Sequence, residues 1–139
     1  MGYRSNIRIK LEKEVYEDLV NKYEEERLKD TTKMSDLFEK AEDKGLGFML
    51  PVKEKKMPVW ERDKETDKWV EKELDGVYFG WNGLKWYDGY KDVDFVMDYI
   101  RKCENYAFAR IGEESDDIEQ ESNGFDDIYV YTVFEDDEE

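Results

Sequence analysis

The sequence contains no histidine, and this absence removes several classes of catalytic site. Ser-His-Asp and Cys-His catalysis both need an imidazole, as does zinc held by histidine. The G-x-S-x-G, P-loop and G-x-G-x-x-G motifs are absent as well. The segment Asp63–Asp67 begins like a calcium loop, but Lys68 and Leu74 stand where an EF-hand needs glycine and glutamate. We therefore expect neither an enzyme nor a bound cofactor or metal.

Cysteine and long apolar runs are also scarce. Cys103 is the only cysteine, which excludes an internal disulfide and a Cys-x-x-Cys motif. Its place on the apolar face of a predicted helix favours a packing role over a reactive thiol. No apolar run approaches the ~20 residues that cross a membrane, and Met1–Leu11 lacks the apolar core of a signal peptide. We expect a cytoplasmic protein without membrane contacts.

Basic residues are missing from the last fifth of the chain. The 38 acidic and 22 basic residues give a net charge of −16. All 22 basic residues lie at or before Arg110, together with 25 acidic ones, so residues 1–110 carry a net −3. Residues 111–139 hold 13 acidic residues and no basic one. Because like charges repel, this segment argues against direct nucleic-acid binding and favours a partner with a basic surface.

Aromatic residues, in contrast, make up 15% of the sequence. Disordered chains are usually poor in aromatics, so this composition predicts a folded protein, and 139 residues suit one domain. We assign residues 1–134 to a single domain and residues 135–139 to an acidic C-terminal tail that frays.

Apolar periodicity predicts the elements of the first half. Ile7, Ile9 and Leu11 alternate with polar residues, as in a half-buried strand. Further elements are predicted as a helix over 15–28, a short helix around 37–41, a strand at 48–50 and a hairpin insertion at about 53–74. In that hairpin we expect Trp60 and Trp69 to form a cross-strand pair.

Turn and capping residues punctuate the second half. Asp75-Gly76 and Asn82-Gly83 predict turns around a strand at 77–81, and Asp92 or Asp94 is expected to cap a helix that runs to Cys103. Further strands are predicted at 84–87, 106–111, 118–121 and 128–134. Together these elements predict an α+β fold, an antiparallel sheet with helices packed on one face. Its order approximates a ferredoxin-like split βαβ arrangement with the hairpin as an insertion.

Two clusters are candidate binding surfaces, and each has a structural alternative. Trp81, Trp86, Tyr87 and Tyr90 either pack in the core or form an exposed patch of the kind that dominates binding hot spots. The acidic cluster is either a solubilising surface or an acidic face that imitates the phosphates of nucleic acid. The residues of this second cluster are Glu113, Glu114, Asp116, Asp117, Glu119, Glu121, Asp126 and Asp127.

Three stretches of the sequence carry a family resemblance that runs in order from residue 2 to residue 119. They are Gly2-Tyr3-Arg4-Ser5, Lys85-Trp86-Tyr87, and Arg110-Ile111-Gly112-Glu113 followed by Asp116-Asp117-Ile118-Glu119. Together they resemble a group of small acidic bacteriophage and prophage proteins, mostly of unassigned function. That resemblance implies an anti-CRISPR or other anti-defence protein acting in the cytoplasm of an infected bacterial host.

The main expectation is a protein that inhibits a host nucleic-acid enzyme, such as a Cas effector or a nuclease, through its acidic face. One alternative is a sponge for a signalling nucleotide, with Trp81 and Trp86 stacking a base and Lys85 and Arg110 meeting phosphate. Another alternative is an accessory phage protein that self-associates through the aromatic patch. The sequence leaves the oligomeric state open.

Overall fold

Five strands and two helices form the described part of the protein. A computed structural model describes residues 3–29, 34–38, 49–114, 116–128, 134 and 137. The elements are β1 (Ser5–Glu12), α1 (Lys13–Arg27), β2 (Lys53–Arg62), β3 (Trp69–Leu84), α2 (Lys91–Arg101), β4 (Tyr106–Ile111) and β5 (Ile118–Asn123). The strand order is β2-β3-β1-β4-β5, and every neighbouring pair is antiparallel. The predicted α+β class is thereby confirmed.

The alternation in β1 sets the two faces of the sheet. Ile7, Ile9 and Leu11 are fully buried and form one core with Leu19 of α1 and Ile100 of α2. Both helices are amphipathic and cover this face, because each carries its apolar residues as one stripe. We call this the helix face.

The opposite face is covered in part by Phe125, Ile128 and Phe134, which follow β5. The second core contains Met57, Val59, Tyr78, Ala107, Ala109, Phe125, Ile128 and Phe134. The even-numbered residues of β1 point to this side, and Arg8 is consequently only 4% exposed. A buried guanidinium needs a partner, because an unpaired charge is costly away from water.

That partner is Asp137. Nε and Nη2 of Arg8 each donate to a carboxylate oxygen of Asp137 at 2.9 Å, and the guanidinium lies 4.6 Å from the centre of the Phe134 ring. The Tyr78 hydroxyl also donates to Asp137. Burial opposes ionisation of this carboxyl, but the hydrogen bonds from Arg8 and Tyr78 outweigh it and lower the Asp137 pKa. Asp137, assigned from the sequence to a fraying tail, is therefore anchored to the sheet.

Strands β2 and β3 extend beyond the sheet as a two-stranded ribbon. Trp60 lies opposite Glu71 and Trp69 lies opposite Arg62, so the two indoles are diagonal neighbours on one face. The two residues of the expected cross-strand pair are therefore not directly opposite each other but are offset by two residues. Trp60 is 62% exposed and Trp69 is 65% exposed.

The turns predicted at Asp75-Gly76 and Asn82-Gly83 do not end a strand, because both dipeptides lie inside β3. Gly76 pairs with Lys55, and the Met57 side chain packs where a Cβ of residue 76 would be. Gly83, with φ of 66°, lies next to the last residue of the strand, so the strand predicted at 84–87 does not form. Turn signals are local, and the long ladder with β1 and β2 overrides them here.

Helix α2 begins before the residues predicted to cap it. Its N-cap is Tyr90, which makes no side-chain cap, while Asp92 and Asp94 lie in the first turn. Carboxylates in a first turn still stabilise a helix through its dipole. The strand predicted at 106–111 is confirmed as β4. Most of the elements predicted at 37–41 and 128–134 lies outside the described residues. Of the strand predicted at 48–50, Met49 forms only an isolated antiparallel bridge with Trp81.

Candidate partner-binding surface

Arg110 organises the acidic loop between β4 and β5. Its side chain lies at the end of the helix face, where Nη1 donates to Ser5 Oγ at 2.9 Å. The same guanidinium donates to both carboxylate oxygens of Asp117, at 3.1 and 2.6 Å, and to Glu119 at 2.7 Å. The Tyr3 hydroxyl donates to Asp117 at 2.6 Å. Two of the eight predicted acidic-face residues are thus used to fix the loop.

These contacts hold the charges in place. Hydrogen bonds from Arg110 and Tyr3 lower the pKa of Asp117. Burial opposes the positive charge of Arg110, but its hydrogen bonds to Asp117 and Glu119 outweigh that effect and raise the pKa of the guanidinium. The loop is therefore tied to β4 by charged hydrogen bonds, which are stronger than neutral ones.

Gly112 lets this network close. A Cβ at this position would collide with the Asp117 carboxylate and the Tyr3 hydroxyl. The backbone N–H of Gly112 donates to the Asp117 carbonyl at 2.8 Å, and the N–H of Glu114 donates to the Tyr3 hydroxyl at 3.1 Å. Glu113 accepts a hydrogen bond from the backbone N–H of Arg4 at 3.0 Å. Only glycine fits where these groups approach so closely.

The remaining acidic residues divide into paired and unpaired groups. Glu121, on β5, pairs with Arg101 of α2 at 2.8 Å. The other five are exposed and form no ion pair with a described residue; we call them the β5 acidic edge, and they are Glu113, Glu114, Asp116, Asp126 and Asp127. They lie beyond the two ends of β5, a six-residue strand that spans about 20 Å. Unpaired carboxylates are therefore displayed at both ends of a fixed edge strand.

Of the two alternatives for the aromatic cluster, core packing holds for Trp81 and Trp86. Trp81 is 0% exposed, its Nε1 donates to the Leu37 carbonyl at 2.6 Å, and Trp86 is buried between it and Phe108. Tyr87 is half-buried, and Tyr90 is 45% exposed. Odd-numbered residues of β3 face the helices, and this places Trp81 in the core.

The exposed indoles are instead Trp60 and Trp69. Both lie in the ribbon, where most of the neighbouring residues of β2 and β3 are charged and cannot form an apolar face that would bury an indole. That composition was the available sequence signal, because an aromatic residue needs apolar neighbours to be buried.

Other candidate sites have structural roles. Cys103 is half-buried against the helix-face core, and burial raises the pKa of its thiol, as a packing role predicts. In the segment Asp63–Asp67, Asp63 accepts a hydrogen bond from the N–H of Glu65, and Asp67 pairs with Arg62. No group of three or more Cys, Asp or Glu residues in the described ranges is arranged to hold a metal ion.

Neither α1 nor α2, nor any other helix in the described ranges, combines the length and apolar character needed to cross a membrane.

Two of the three stretches that carry the sequence resemblance meet in space, because Tyr3 contacts Asp117 and Ser5 contacts Arg110. The Arg4 guanidinium donates to the Gly83 carbonyl at 2.6 Å, two residues before the remaining stretch. Comparisons with protein-family models, curated proteins and solved structures give no match.

Proposed function

We propose that this protein is a phage-type anti-defence protein that binds a basic, nucleic-acid-binding surface of a host enzyme, such as a Cas effector or a nuclease, through the β5 acidic edge. The observation that carries the proposal is the display of five exposed carboxylates around one edge strand whose loop is fixed by Arg110. A channel that binds phosphates attracts such an array by the same electrostatic effect.

The fixed geometry strengthens the proposal. A loose acidic tail would lose conformational freedom on binding, whereas carboxylates held on a folded edge lose less. Asp117, Glu119 and Glu121 supply this rigidity, because their ion pairs join β5 to β4 and α2. We therefore assign partner binding to the unpaired residues and loop positioning to the paired ones.

For the scaffold, we infer a ferredoxin-like split βαβ arrangement. Support comes from the order β2-β3-β1-β4, with α1 following β1 and α2 linking β3 to β4. In this interpretation β5 is an added edge strand, and the ribbon of β2 and β3 is the hairpin insertion.

A pull-down from host lysate tests the function. We would compare the native chain with a variant in which the whole β5 acidic edge is neutralised, E113Q/E114Q/D116N/D126N/D127N. A matched control, E14Q/E17Q/E25Q/E73Q/D98N, removes five exposed charges elsewhere. We expect the native chain and the control to retain a nuclease or Cas effector at about 50 mM salt and to release it at about 500 mM. Equal recovery by the neutralised variant would contradict the proposal.

A second candidate function is self-association through the ribbon, because Trp60 and Trp69 expose large apolar surfaces on one side of it. Light scattering would show a dimer for the native chain and a monomer for W60A/W69A. A monomer for both would exclude this candidate.

A further inference from the structure

We propose that a cavity beside the start of α2 binds a small phosphorylated ligand that carries a planar ring, such as a nucleotide. The cavity has a volume of about 540 Å³, within the range of about 300–1,000 Å³ that is usual for small-molecule sites. Its lining residues are Arg4, Ser35, Leu84, Lys85, Gly89, Tyr90, Lys91 and Asp92.

The lining is basic in a strongly acidic protein. Three cationic residues meet a single carboxylate there, although the whole chain carries a net charge of −16. Lys85 and Lys91 are exposed and form no ion pair with a described residue, so their charges are available. The Asp92 carboxylate accepts a hydrogen bond from the N–H of Val93, and the Arg4 guanidinium is held by the Gly83 carbonyl. Such a lining selects an anion.

The start of α2 lies beside the same cavity. No side-chain cap occupies the start of α2, and the positive end of its dipole favours negative charge near Lys91. Gly89 has a φ of 94°, and a Cβ at this position would meet no atom within 4 Å, so a ligand has room beside the backbone. The Gly89 N–H already donates to Asp94 Oδ1 at 3.2 Å, so the donors for phosphate are the two lysines.

Tyr90 supplies the apolar part of the site. Its ring packs edge-on against Tyr87 with centroids 5.1 Å apart, and it remains 45% exposed. A ring held by a neighbour in this way can stack on a planar group at little entropic cost. Lysines that can bind phosphate, beside a ring that can stack on a base, match the two halves of a nucleotide.

The lining of this cavity is basic, whereas the β5 acidic edge is acidic. Arg4 lies between them, because it lines the cavity and its backbone N–H donates to Glu113. Failure of one proposal therefore leaves the other standing, because each depends on different side chains.

Calorimetric titration of the full chain with ADP, GDP and UDP tests the inference, with adenosine and pyrophosphate as the two half-ligands. We expect at least one nucleoside diphosphate to bind more tightly than about 1 mM and more tightly than either half-ligand. The variant K85Q/K91Q should weaken that binding at least about tenfold, whereas K64Q/K68Q, which neutralises two exposed lysines of the hairpin loop, should not change it. Tyr90→Ala should weaken binding and Tyr90→Phe should retain it.

Three results would overturn the proposal. The first is that none of the three nucleotides binds below about 5 mM, and the second is that K85Q/K91Q binds like the native chain. The third is that pyrophosphate binds as tightly as the nucleotides, which would remove the role of the ring. Urea unfolding of each variant would verify that the fold is intact.

Discussion

The two edges of the sheet are both charged, but they arrange charge in opposite ways. Along the β2 edge, acidic and basic residues are mixed and pair across the ribbon, as Lys56 does with Asp75 and Lys72 with Glu61. Along the β5 edge the strand and its loop are acidic, and the bases come from elsewhere, from Arg110 on β4 and Arg101 on α2.

The two arrangements contribute differently to the stability of the local structure, because their ion pairs are buried to different extents. The ribbon pairs are exposed, and exposed ion pairs contribute about 0–1 kcal/mol each. Arg110 is buried, so the carboxylates that contact it fix the local structure. The acidic bias of residues 111–139 thus combines two roles, anchoring and display, that composition alone cannot separate.

The two edges also protect the sheet by different means. Pro58 lies opposite Glu73 in the β2 ladder and has no N–H to offer to an incoming strand. On β5, carboxylates repel a second copy of the same edge. Each edge strand is therefore a poor template for strand addition.

The largest expected effect comes from removing residues 134–139. This deletion removes the buried Phe134 ring and leaves Arg8 without Asp137, so we expect a loss of about 4 kcal/mol in the free energy of unfolding. Asp137→Asn alone should cost about 1–2 kcal/mol. Urea unfolding measures both, and an unchanged midpoint for the deletion would show that this acidic segment is not anchored.

The next largest loss of stability is expected when the two arginines that contact β5 are replaced one at a time. Arg110→Ala should cost about 2 kcal/mol because it removes hydrogen bonds to Ser5, Asp117 and Glu119 at a buried position. Arg101→Ala, at an exposed position, should cost less than about 1 kcal/mol. Equal losses in urea unfolding would contradict the distinction between anchoring and display.

Acidification should weaken the same network. Because the Asp117 pKa is lowered in the folded protein, the unfolded chain takes up a proton first as the pH falls. The stabilisation is full above the ordinary Asp value of about 3.9 and is lost as the pH falls through the lower folded value. Unfolding free energies measured between pH 7 and pH 2 should therefore fall less steeply for Asp117→Asn. Parallel profiles would indicate that this carboxylate does not contribute.

The smallest effect is expected on the ribbon. Lys56→Gln and Asp75→Asn each remove an exposed ion pair and should leave the midpoint of urea unfolding close to that of the native chain. A shift of the midpoint as large as that of Arg110→Ala in either variant would mean that the β2 edge depends on its charges as much as the β5 edge does.

Strands with a clear period were predictable from the sequence. The alternation of Ile7, Ile9 and Leu11 gave the buried face of β1, and β4 begins and ends at the predicted residues. The turn predicted at Asp75-Gly76 was wrong, because a turn signal of two residues is weaker than strand pairing on both sides of β3. Whether Trp81 packs in the core was left open by the sequence, because the buried face of a strand depends on distant helices.

The candidate surface was predictable only in composition. The eight acidic residues were evident, but their division into paired and unpaired groups depends on contacts between distant parts of the chain. Arg101 precedes Glu121 by 20 residues, and Arg8 precedes Asp137 by 129. No local pattern marks such pairs, because they form only when the strands are in register.

The contact between Arg8 and Asp137 has a consequence for biosynthesis. Arg8 leaves the ribosome 129 residues before Asp137, in a strand that later lies at the centre of the sheet. Until Asp137 has been synthesised, β1 cannot bury the Arg8 guanidinium as an ion pair with that residue. We expect nascent chains to stay incompletely packed, and open to chaperones, until residue 137 has emerged.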